Sequence, residues 1–270
     1  MLRDKVVIIT GASSGIGMAS AYEFAAQGAK IVLAARNLDK LIAIENDMKS
    51  KGIDVLSVKT DVSIEQDCES MINSTIERFG RIDVLVNNAG ISMRAMFKDL
   101  DLSVMKNLMD VNFWGTVYCT KYALPYLTST KGSVVGVISV AGFLGLPART
   151  GYSASKYAVR GFLDTLRVET LKEGLNVLVV APGFTASNIR KTALIADGSQ
   201  QGETPRNESG MMSAEDCAKH IVKAVKKRKS ELVLTFIEGK LSVFLKKWCP
   251  RLLDKLTYNH MAKEPNSPLK

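Results

Sequence analysis

The sequence has no apolar run long enough to cross a bilayer, although 46% of its 270 residues are hydrophobic. A membrane-spanning helix needs about 20 consecutive apolar residues, so we expect no integral membrane protein. The opening segment, MLRDKVVIIT, passes directly into an apolar run without the layout of a signal peptide. The sequence therefore predicts a cytoplasmic protein.

Cysteine and histidine are scarce, at four and two residues. The cysteines lie far apart and form no Cys-x-x-Cys pair: Cys68, Cys119, Cys217 and Cys249. This spacing argues against a disulfide framework or a zinc site and favours reduced, mostly buried thiols. His220 and His260 are too few for a histidine-based metal centre, so we expect no bound metal.

Excess positive charge is missing from most of the chain. Residues 1–218 carry 23 basic and 23 acidic residues, so the net charge of +9 lies in the last 52 residues. A nucleic-acid-binding domain is expected to interleave basic and aromatic residues on its main body. The distribution argues against that class and assigns the charge to a C-terminal extension.

Short, β-branched runs alternate with longer amphipathic stretches up to about residue 235. The runs predict strands at Val6–Thr10, Ile31–Ala35, Val55–Val58, Val84–Asn87, Ser133–Ile138, Val177–Val180 and Leu232–Leu234. The stretches predict helices at Ile16–Gln27, Leu38–Lys49, Ile64–Phe79, Leu102–Leu127, Tyr152–Lys172 and Ala214–Lys227. Ser63 and Ser213 are expected to cap two of these helices. Such alternation implies an α/β fold, with a parallel sheet covered on both faces.

The first predicted strand runs into a glycine-rich turn, Thr10-Gly11-Ala12-Ser13-Ser14-Gly15-Ile16-Gly17, that opens a helix. Gly11 permits the tight turn, Gly15 lets the backbone approach a pyrophosphate, and Gly17 lets the helix pack on the strand. The helix N-terminus then presents unpaired N–H groups to phosphates. Between a strand and a helix, this motif predicts a dinucleotide site.

The end of the second predicted strand indicates which dinucleotide is bound. A site for NAD usually carries Asp or Glu about 20 residues past the glycines, to hold the ribose 2′-hydroxyl. Here Ala35 stands near that position and Arg36 follows it. A guanidinium attracts the 2′-phosphate that a carboxylate would repel. This favours NADP(H) over NAD(H), although a merely solvated Arg36 is the alternative.

A tyrosine and a lysine lie four residues apart in Tyr152-Ser153-Ala154-Ser155-Lys156. On a helix this spacing places phenol and ammonium on one face. A free tyrosine titrates near pH 10, and an ammonium about 5 Å away at an effective dielectric of about 20 lowers that value by about two units. We therefore predict an acid/base pair, although Tyr-x-x-x-Lys alone also occurs on surface helices.

Polar residues and glycines follow the predicted strands, where the carboxyl ends of a parallel sheet meet. Ser139 ends the fifth strand, placed to hydrogen-bond a substrate oxygen. Asn112 interrupts an apolar helix, either as a satisfied core amide or as a holder of water beside Lys156. The other such segments are Asp61-Val62, Asn87-Asn88-Ala89-Gly90 and Pro182-Gly183.

In order and spacing, these residues resemble the short-chain dehydrogenase/reductase (SDR) family over about residues 4–235. The matching segments are TGASSGIG at 10–17, Asp61-Val62, NNAG at 87–90, Asn112, Ser139, YSASK at 152–156 and Pro182-Gly183. The resemblance implies a single Rossmann domain, doubly wound around a seven-stranded parallel sheet, over residues 1–237. A basic, amphipathic, helical tail (238–270) would follow, and the protein would be a homodimer or homotetramer.

The resemblance also implies a role for each matching residue. Tyr152 would be the acid/base, Lys156 would hold the nicotinamide ribose, Ser139 would orient the carbonyl, and Asn112 would support a proton relay. The implied cofactor contacts are Gly11, Ser13, Ser14, Gly15, Ile16, Gly17, Arg36, Asp61, Val62, Asn88, Ala89, Gly90, Tyr152, Lys156, Pro182, Gly183, Thr185 and Ser187. Ser187 stands where the family often has threonine and keeps the hydroxyl.

These features predict an NADP(H)-dependent oxidoreductase that interconverts a carbonyl and an alcohol by hydride transfer. Apolar positions around the site favour a lipophilic substrate (steroid-, retinoid- or fatty-ketone-like), with ordinary packing as the alternative: Met93, Met96, Phe97, Phe143, Leu144, Leu146, Phe184, Ile189, Met211 and Met212. Arg94 and Arg149 suit an acidic or carrier-linked substrate, so 3-oxoacyl-acyl-carrier-protein reductase is the main alternative function. A non-catalytic NADP-binding regulatory protein ranks third, because the catalytic set is complete.

The tail mixes apolar and basic residues near helical spacing, and Pro250 is expected to start its second helix. The apolar residues are Leu241, Phe244, Leu245, Trp248, Leu252 and Leu256, with Lys246, Lys247, Arg251 and Lys255 between them. The pattern suits a helix on an anionic membrane surface, and it resembles the tails of lipid- and steroid-acting family members. A subunit contact or a covering helix fits equally well.

Two further segments depart from the regular alternation of strands and helices. Residues 188–212 are predicted to form a lid or binding loop, and the residues after His260 are predicted to be disordered.

Overall fold

A single sheet of seven parallel strands forms the centre of the computed structural model, which describes residues 2–204 and 210–269. The strands are β1 (Val6–Thr10), β2 (Lys30–Ala35), β3 (Val55–Lys59), β4 (Val84–Asn87), β5 (Ser133–Val137), β6 (Asn176–Ala181) and β7 (Glu231–Val233). Their order across the sheet is β3-β2-β1-β4-β5-β6-β7. The predicted α/β fold and parallel sheet are confirmed.

Helices connect the strands and extend beyond them. They are α1 (Gly15–Ala26), α2 (Leu38–Ser50), α3 (Glu65–Phe79), α4 (Leu102–Leu108), α5 (Gly115–Ser129), α6 (Thr150–Glu169), α7 (Ala214–Lys226), α8 (Ser242–Trp248) and α9 (Pro250–Ala262). The single helix predicted over Leu102–Leu127 is wrong, because a π-helical turn, Met109–Trp114, separates α4 from α5. Ser213 caps α7 as predicted, accepting from the Asp216 amide at 3.0 Å. Ser63 does not cap α3, because its hydroxyl donates to Asp61.

The five inner strands are buried on both faces because helices cover both sides of the sheet, whereas the edge strands β3 and β7 are partly exposed. Along β1, Val7 and Ile9 belong to one hydrophobic cluster with Phe24 of α1, while Val6 and Ile8 belong to the other. This alternation follows from the period of two in a strand. Burial on both faces requires continuous apolar runs, which is why the strands were identifiable from sequence.

The order of the strands reverses at β1, whose neighbours are β2 and β4. In open α/β sheets, ligands bind beyond the carboxyl ends of the strands at this switch point. The glycine-rich turn follows β1, and the Asn87–Gly90 segment begins at the end of β4. The topology therefore brings these two motifs to the same crevice.

The tail folds back onto the main domain. A π-helical segment, Phe236–Leu241, leads into α8 and α9, and Pro250 is the first residue of α9 as predicted. Leu253 packs against Val140 and Leu144. The expectation of disorder after His260 is wrong for the described residues, because α9 continues to Ala262 and the Glu264 and Ser267 side chains are buried.

The predicted lid loop, 188–212, is described except for residues 205–209. Leu194 pairs with Met93 in an isolated bridge, and its amide donates to the Ser92 carbonyl at 2.8 Å. The loop therefore lies against the segment that follows β4, beside the crevice.

Candidate active site

The glycine-rich turn packs helix α1 tightly against the end of β1. Gly11 and Gly15 have φ values of +66° and +53°, which favour glycine. A Cβ on Gly17 would lie 2.3 Å from the Gly11 carbonyl oxygen. The Asn88 side chain donates to the Thr10 carbonyl at 2.9 Å, so the turn is also fixed to β4.

The N-terminus of α1 opens onto a cavity of about 540 Å³. Within the described chain the N-cap residue, Ser14, makes no side-chain cap bond, so the first N–H groups of the helix lack that acceptor. Glycine backbone and unpaired N–H groups suit a pyrophosphate, and a dinucleotide therefore fits the residues present. Predicted cofactor residues that line this cavity are Gly11, Ser13, Ser14, Gly15, Ile16, Arg36, Asp61, Val62, Asn88, Ala89, Gly90 and Ser187.

A second cavity, of about 150 Å³, continues the first, and both are lined by Ile16, Asn88, Gly90 and Ser187. It contains the other predicted cofactor residues except Gly17, and three of the four predicted catalytic residues: Pro182, Gly183, Thr185, Ser139, Tyr152 and Lys156. Gly17 and Asn112 line neither cavity and lie behind the walls. Apart from these two, the predicted site residues share one cleft.

Tyr152, Lys156 and Ser139 meet at the inner end of this cleft. Lys156 is buried on α6, and its Nζ donates to the Val137 carbonyl at 3.0 Å. The same Nζ lies 5.8 Å from the centre of the Tyr152 ring. Ser139, just after β5, lines the same cavity as Tyr152, and its Oγ accepts from the Ala141 amide at 3.2 Å. The phenol therefore has a hydroxyl group and an ammonium group nearby.

Residues 5–196 match the family described as short chain dehydrogenase. An 11-beta-hydroxysteroid dehydrogenase-like 4A protein of Arabidopsis thaliana is 40% identical over 258 residues, which span 93% of this chain and 83% of that protein. The chain belongs to the short-chain dehydrogenase family. It is thus an oxidoreductase of that family, with relatives named for steroids.

Two solved structures place this short-chain dehydrogenase among dinucleotide-binding folds. A short chain dehydrogenase/reductase from Burkholderia phymatum in complex with NAD has a TM-score of 0.77 and 26% identity, over 86% of this chain and 89% of that one. An alcohol dehydrogenase from Thermococcus sibiricus, complexed with 5-hydroxy-NADP, has a TM-score of 0.75 and 27% identity, over 86% and 96%. Relatives of this fold therefore bind either NAD or an NADP derivative.

The pKa of Tyr152 is raised above its ordinary value by burial, opposed by the Ser139 hydrogen bond and the positive charge of Arg149. Burial also lowers the pKa of Lys156 to about 8. The predicted lowering of the Tyr152 pKa by Lys156 is therefore wrong in this structure. The physical reason is that both groups lose hydration, and the Lys156 ammonium is directed at a carbonyl oxygen.

Asn112 lies in the π-helical turn and is 1% exposed. Its Oδ1 accepts from the Ile91 amide at 2.8 Å, and its Nδ2 donates to the Ile91 carbonyl at 3.0 Å and to Ser155 Oγ at 2.9 Å. The side chain thus joins the segment after β4 to α6. Of the two interpretations that the sequence allowed, the bonds favour a satisfied core amide.

The dinucleotide cavity has further polar residues that the sequence analysis did not select: Asn37, Lys40, Thr60 and Asn107. Lys40 lies four residues after Arg36 and adds a second cation to the same wall. The sequence could have indicated Lys40, because asparagine is a common helix N-cap residue. In the structure Asn37 accepts from the Lys40 amide at 2.9 Å, which places Lys40 on the first turn of α2. Thr10 was also missed: its hydroxyl accepts from the Asn88 and Ala89 amides, each at 3.0 Å.

Proposed function

We propose that this short-chain dehydrogenase interconverts a carbonyl and an alcohol on a lipophilic substrate, with NADP(H) as its cofactor. The observation that supports the proposal most is the single cleft, which joins the glycine-rich turn to the hydroxyl groups of Tyr152 and Ser139. The bound nicotinamide would supply or accept a hydride at the substrate carbon.

The chain itself supplies proton transfer and positioning. Tyr152 would donate its phenolic proton to the substrate oxygen during reduction and take it back during oxidation. The Ser139 hydroxyl would donate to the same oxygen and stabilise the charge that develops there. Lys156 would hold the ribose through its ammonium group. With a pKa of about 8, it is mostly protonated at neutral pH.

The preference for NADP(H) is supported by two cations on the wall of the dinucleotide cavity. Arg36 and Lys40 both line it, and Arg36 is exposed. A guanidinium fork and an ammonium together suit the 2′-phosphate.

The lipophilic substrate is supported by the apolar residues around Tyr152. The cavity is lined by Val140, Leu146, Phe184, Ile189 and Met261. Of the apolar positions predicted, Met93 packs with Leu108 in a separate cluster instead, and Phe97 is 58% exposed. Fewer of the predicted apolar residues therefore line this cavity, and Met261 of the tail also lines it.

Turnover assays on a substrate panel test this function. Steroid, retinoid, fatty-ketone and 3-oxoacyl substrates would be mixed with the protein, and NADPH and NADH consumption would be followed separately. We expect NADPH-dependent reduction of neutral lipophilic carbonyls. Activity confined to 3-oxoacyl carrier substrates or to NADH would contradict the proposal.

We also propose that the tail docks on an anionic membrane surface. Of the predicted tail residues, Leu245 packs inward with Leu253, but several apolar residues of α8, α9 and the preceding turn are exposed: Phe236, Ile237, Leu241, Phe244, Trp248, Leu252 and Leu256. Lys240, Lys247, Arg251 and Lys255 are exposed beside them. This combination suits an interfacial helix on anionic lipid. Among the described residues, no helix has the length and apolar character of a transmembrane span. Co-sedimentation with anionic vesicles at low and high salt tests the docking.

A further inference from the structure

The cavity beside Tyr152 is too small for the whole of a large lipophilic substrate. Its volume is about 150 Å³, whereas sites for drug-sized ligands measure about 300–1,000 Å³. Its lining includes Pro182, Gly183 and Thr185, which are predicted to contact the cofactor, so the nicotinamide would take part of this room. The space left at Tyr152 therefore suits a slim carbonyl end, and the rest of the substrate has to extend elsewhere.

A larger cavity, of about 520 Å³, lies on the other side of Phe184. Phe184 and Glu264 line both cavities, so these two side chains form the boundary between them. Met211 and Met212 at the end of the lid loop line the larger cavity, as does His260 of α9. The centre of the Phe184 ring is 6.2 Å from that of His260. This outer chamber therefore lies between the lid loop and the tail, next to the catalytic cavity.

The walls of the outer chamber suit a flexible apolar chain. Phe184, Met211 and Met212 supply aromatic and thioether surface, and unbranched methionine side chains adapt to the shape of a ligand. The charged residues of the lining, Glu238 and Lys263, are exposed. They can keep their charged groups in water while a chain lies against the methionines.

The carboxylate at the boundary between the two cavities is paired with arginines of the main domain. Glu264 Oε2 lies 3.5 Å from Arg94 Nη2 and 3.7 Å from Arg149 Nη2. Burying a charge costs much less free energy when the charge is paired. The two arginines thus have a carboxylate within the chain itself, and a neutral chain can pass the boundary without a charged group of its own.

We propose that the outer chamber is the distal part of the substrate site, and that it takes the alkyl chain of an elongated ketone. The carbonyl end lies at Tyr152, and the chain runs past Phe184 to Met211 and Met212. An alkyl chain is thinner than a fused ring system, so the boundary at Phe184 selects linear substrates over four-ring ones. This inference rests on the proposed oxidoreductase function and narrows its substrate class.

Two methyl ketones and a steroid ketone test the outer chamber in the wild type. Pentan-2-one and undecan-2-one differ by six CH₂ groups, and each CH₂ removed from water tightens binding about fourfold. We expect kcat/KM with NADPH to be at least a hundredfold higher for undecan-2-one than for pentan-2-one, and at least tenfold higher than for androst-4-ene-3,17-dione. Equal values for the two methyl ketones, or a preference for the steroid, would overturn the proposal.

The variant Met211→Trp reduces the volume of the outer chamber. Met211 is not among the described residues that line the cavity at Tyr152. We therefore expect kcat/KM for undecan-2-one to fall at least tenfold and the value for pentan-2-one to change less than twofold. Leu171→Trp adds the same side chain at an exposed position of the main domain and is the matched control. Equal changes for the two ketones in Met211→Trp would overturn the proposal.

The variant Phe184→Ala tests the boundary through a gain that a misfolded protein could not show. Loss of the ring widens the passage between the two cavities. The ratio of kcat/KM for androst-4-ene-3,17-dione to that for undecan-2-one should rise at least tenfold over the wild type. An unchanged ratio would show that Phe184 does not select the shape of the substrate, and the proposal would be wrong.

A binding measurement distinguishes a failure of this inference from a failure of the proposed function. In calorimetric titrations, undecan-2-one should bind the wild type at least a hundredfold more tightly than pentan-2-one, and this difference should shrink at least tenfold in Met211→Trp. An affinity that does not depend on chain length would overturn the outer chamber. If the affinities follow the expectation but no ketone is reduced with NADPH or NADH, the chamber stands and the proposed function fails.

Discussion

Burial raises the pKa of the Tyr152 phenol, and we expect this phenol to be the acid that protonates the substrate oxygen. The variant Tyr152→Phe removes the proton and keeps the ring. We expect turnover to fall about 10³-fold, within the range for loss of a general acid, while NADPH affinity changes less than twofold. Steady-state kinetics measure turnover, and a fluorescence titration measures NADPH affinity. Tyr157→Phe, on the exposed side of the same helix, is the control, and near-normal turnover in Tyr152→Phe would contradict the assignment.

Lys156 provides a pH-dependent prediction of stability. Its pKa in the folded protein is about 8, below the ordinary value of 10.5, so the folded state disfavours the charged form. The group therefore reduces the free energy of unfolding by about 3 kcal/mol below pH 8, and this loss is recovered as the pH rises from 8 to 10.5.

Chemical denaturation at several pH values measures this effect. The stability of the wild type should rise relative to Lys156→Met across that window. The exposed Lys172 offers the control variant Lys172→Met, whose difference from the wild type should not change with pH. If the stability of Lys156→Met changes with pH in parallel with that of the wild type, Lys156 is not desolvated.

We expect cofactor choice to depend most on Arg36. The substitution Arg36→Asp replaces a cation by a carboxylate that repels a 2′-phosphate and suits a 2′-hydroxyl. A charge-assisted hydrogen bond is worth about 1.5–3 kcal/mol. We therefore expect the ratio of kcat/KM for NADPH to that for NADH to fall at least tenfold. If the NADPH/NADH ratio of kcat/KM is unchanged in Arg36→Asp and equals that of the exposed control Lys172→Asp, Arg36 does not bind the 2′-phosphate.

At the scale of elements, the junction of β1 with α1 has no room for a side chain at Gly17. A Cβ there would meet Gly11 backbone oxygen at 2.3 Å, and backbone atoms cannot move aside cheaply. We expect Gly17→Ala to lower the free energy of unfolding by about 3 kcal/mol, the upper range for overpacking. Gly161, inside α6, has no described atom within 4 Å of its ideal Cβ. Gly161→Ala should therefore stabilise the helix by about 0.5–1 kcal/mol, and thermal unfolding compares the two. Equal free energies of unfolding for Gly17→Ala and Gly161→Ala would contradict the tight packing at Gly17.

The strands and the glycine-rich turn could be predicted because their signals are local. Burial on both sheet faces produces continuous apolar runs such as Val6–Thr10, and positive φ values select Gly11 and Gly15. The π-helical turn at Met109–Trp114 could not be predicted, because one wide turn leaves the amphipathic pattern almost unchanged.

Features that depend on contacts between distant residues were missed. The pKa of Lys156 is lowered by burial, which the spacing of Tyr152 and Lys156 does not reveal. The return of the tail depends on Glu264 meeting Arg94, far away in the sequence. Composition identifies the tail as basic and amphipathic but does not show what its inner face covers.

At the scale of the whole molecule, the tail provides a test of membrane docking. Trp248 and Phe244 are 64% and 59% exposed, and their replacement in Phe244→Ser/Trp248→Ser removes apolar area without changing charge. We expect at least tenfold weaker association with anionic vesicles in a sedimentation assay, since each large apolar side chain contributes on the order of 2 kcal/mol when buried. Leu171→Ser changes an apolar residue that is 73% exposed on the main domain and should bind like the wild type. Equal binding by all three proteins would exclude docking through this surface.

Helix α9 presents residues to both sides: Met261 to the substrate pocket, and Leu252 and Leu256 outward. A helix with its side chains is about 10 Å across, so a docked tail would hold the pocket mouth about one helix diameter from the lipid headgroups. Hydrophobic substrates would then reach the enzyme from the bilayer in which they are dissolved. Their occupancy of the pocket would be governed by the mole fraction in lipid, and adding empty vesicles at constant total substrate would slow the reaction by dilution within the membrane.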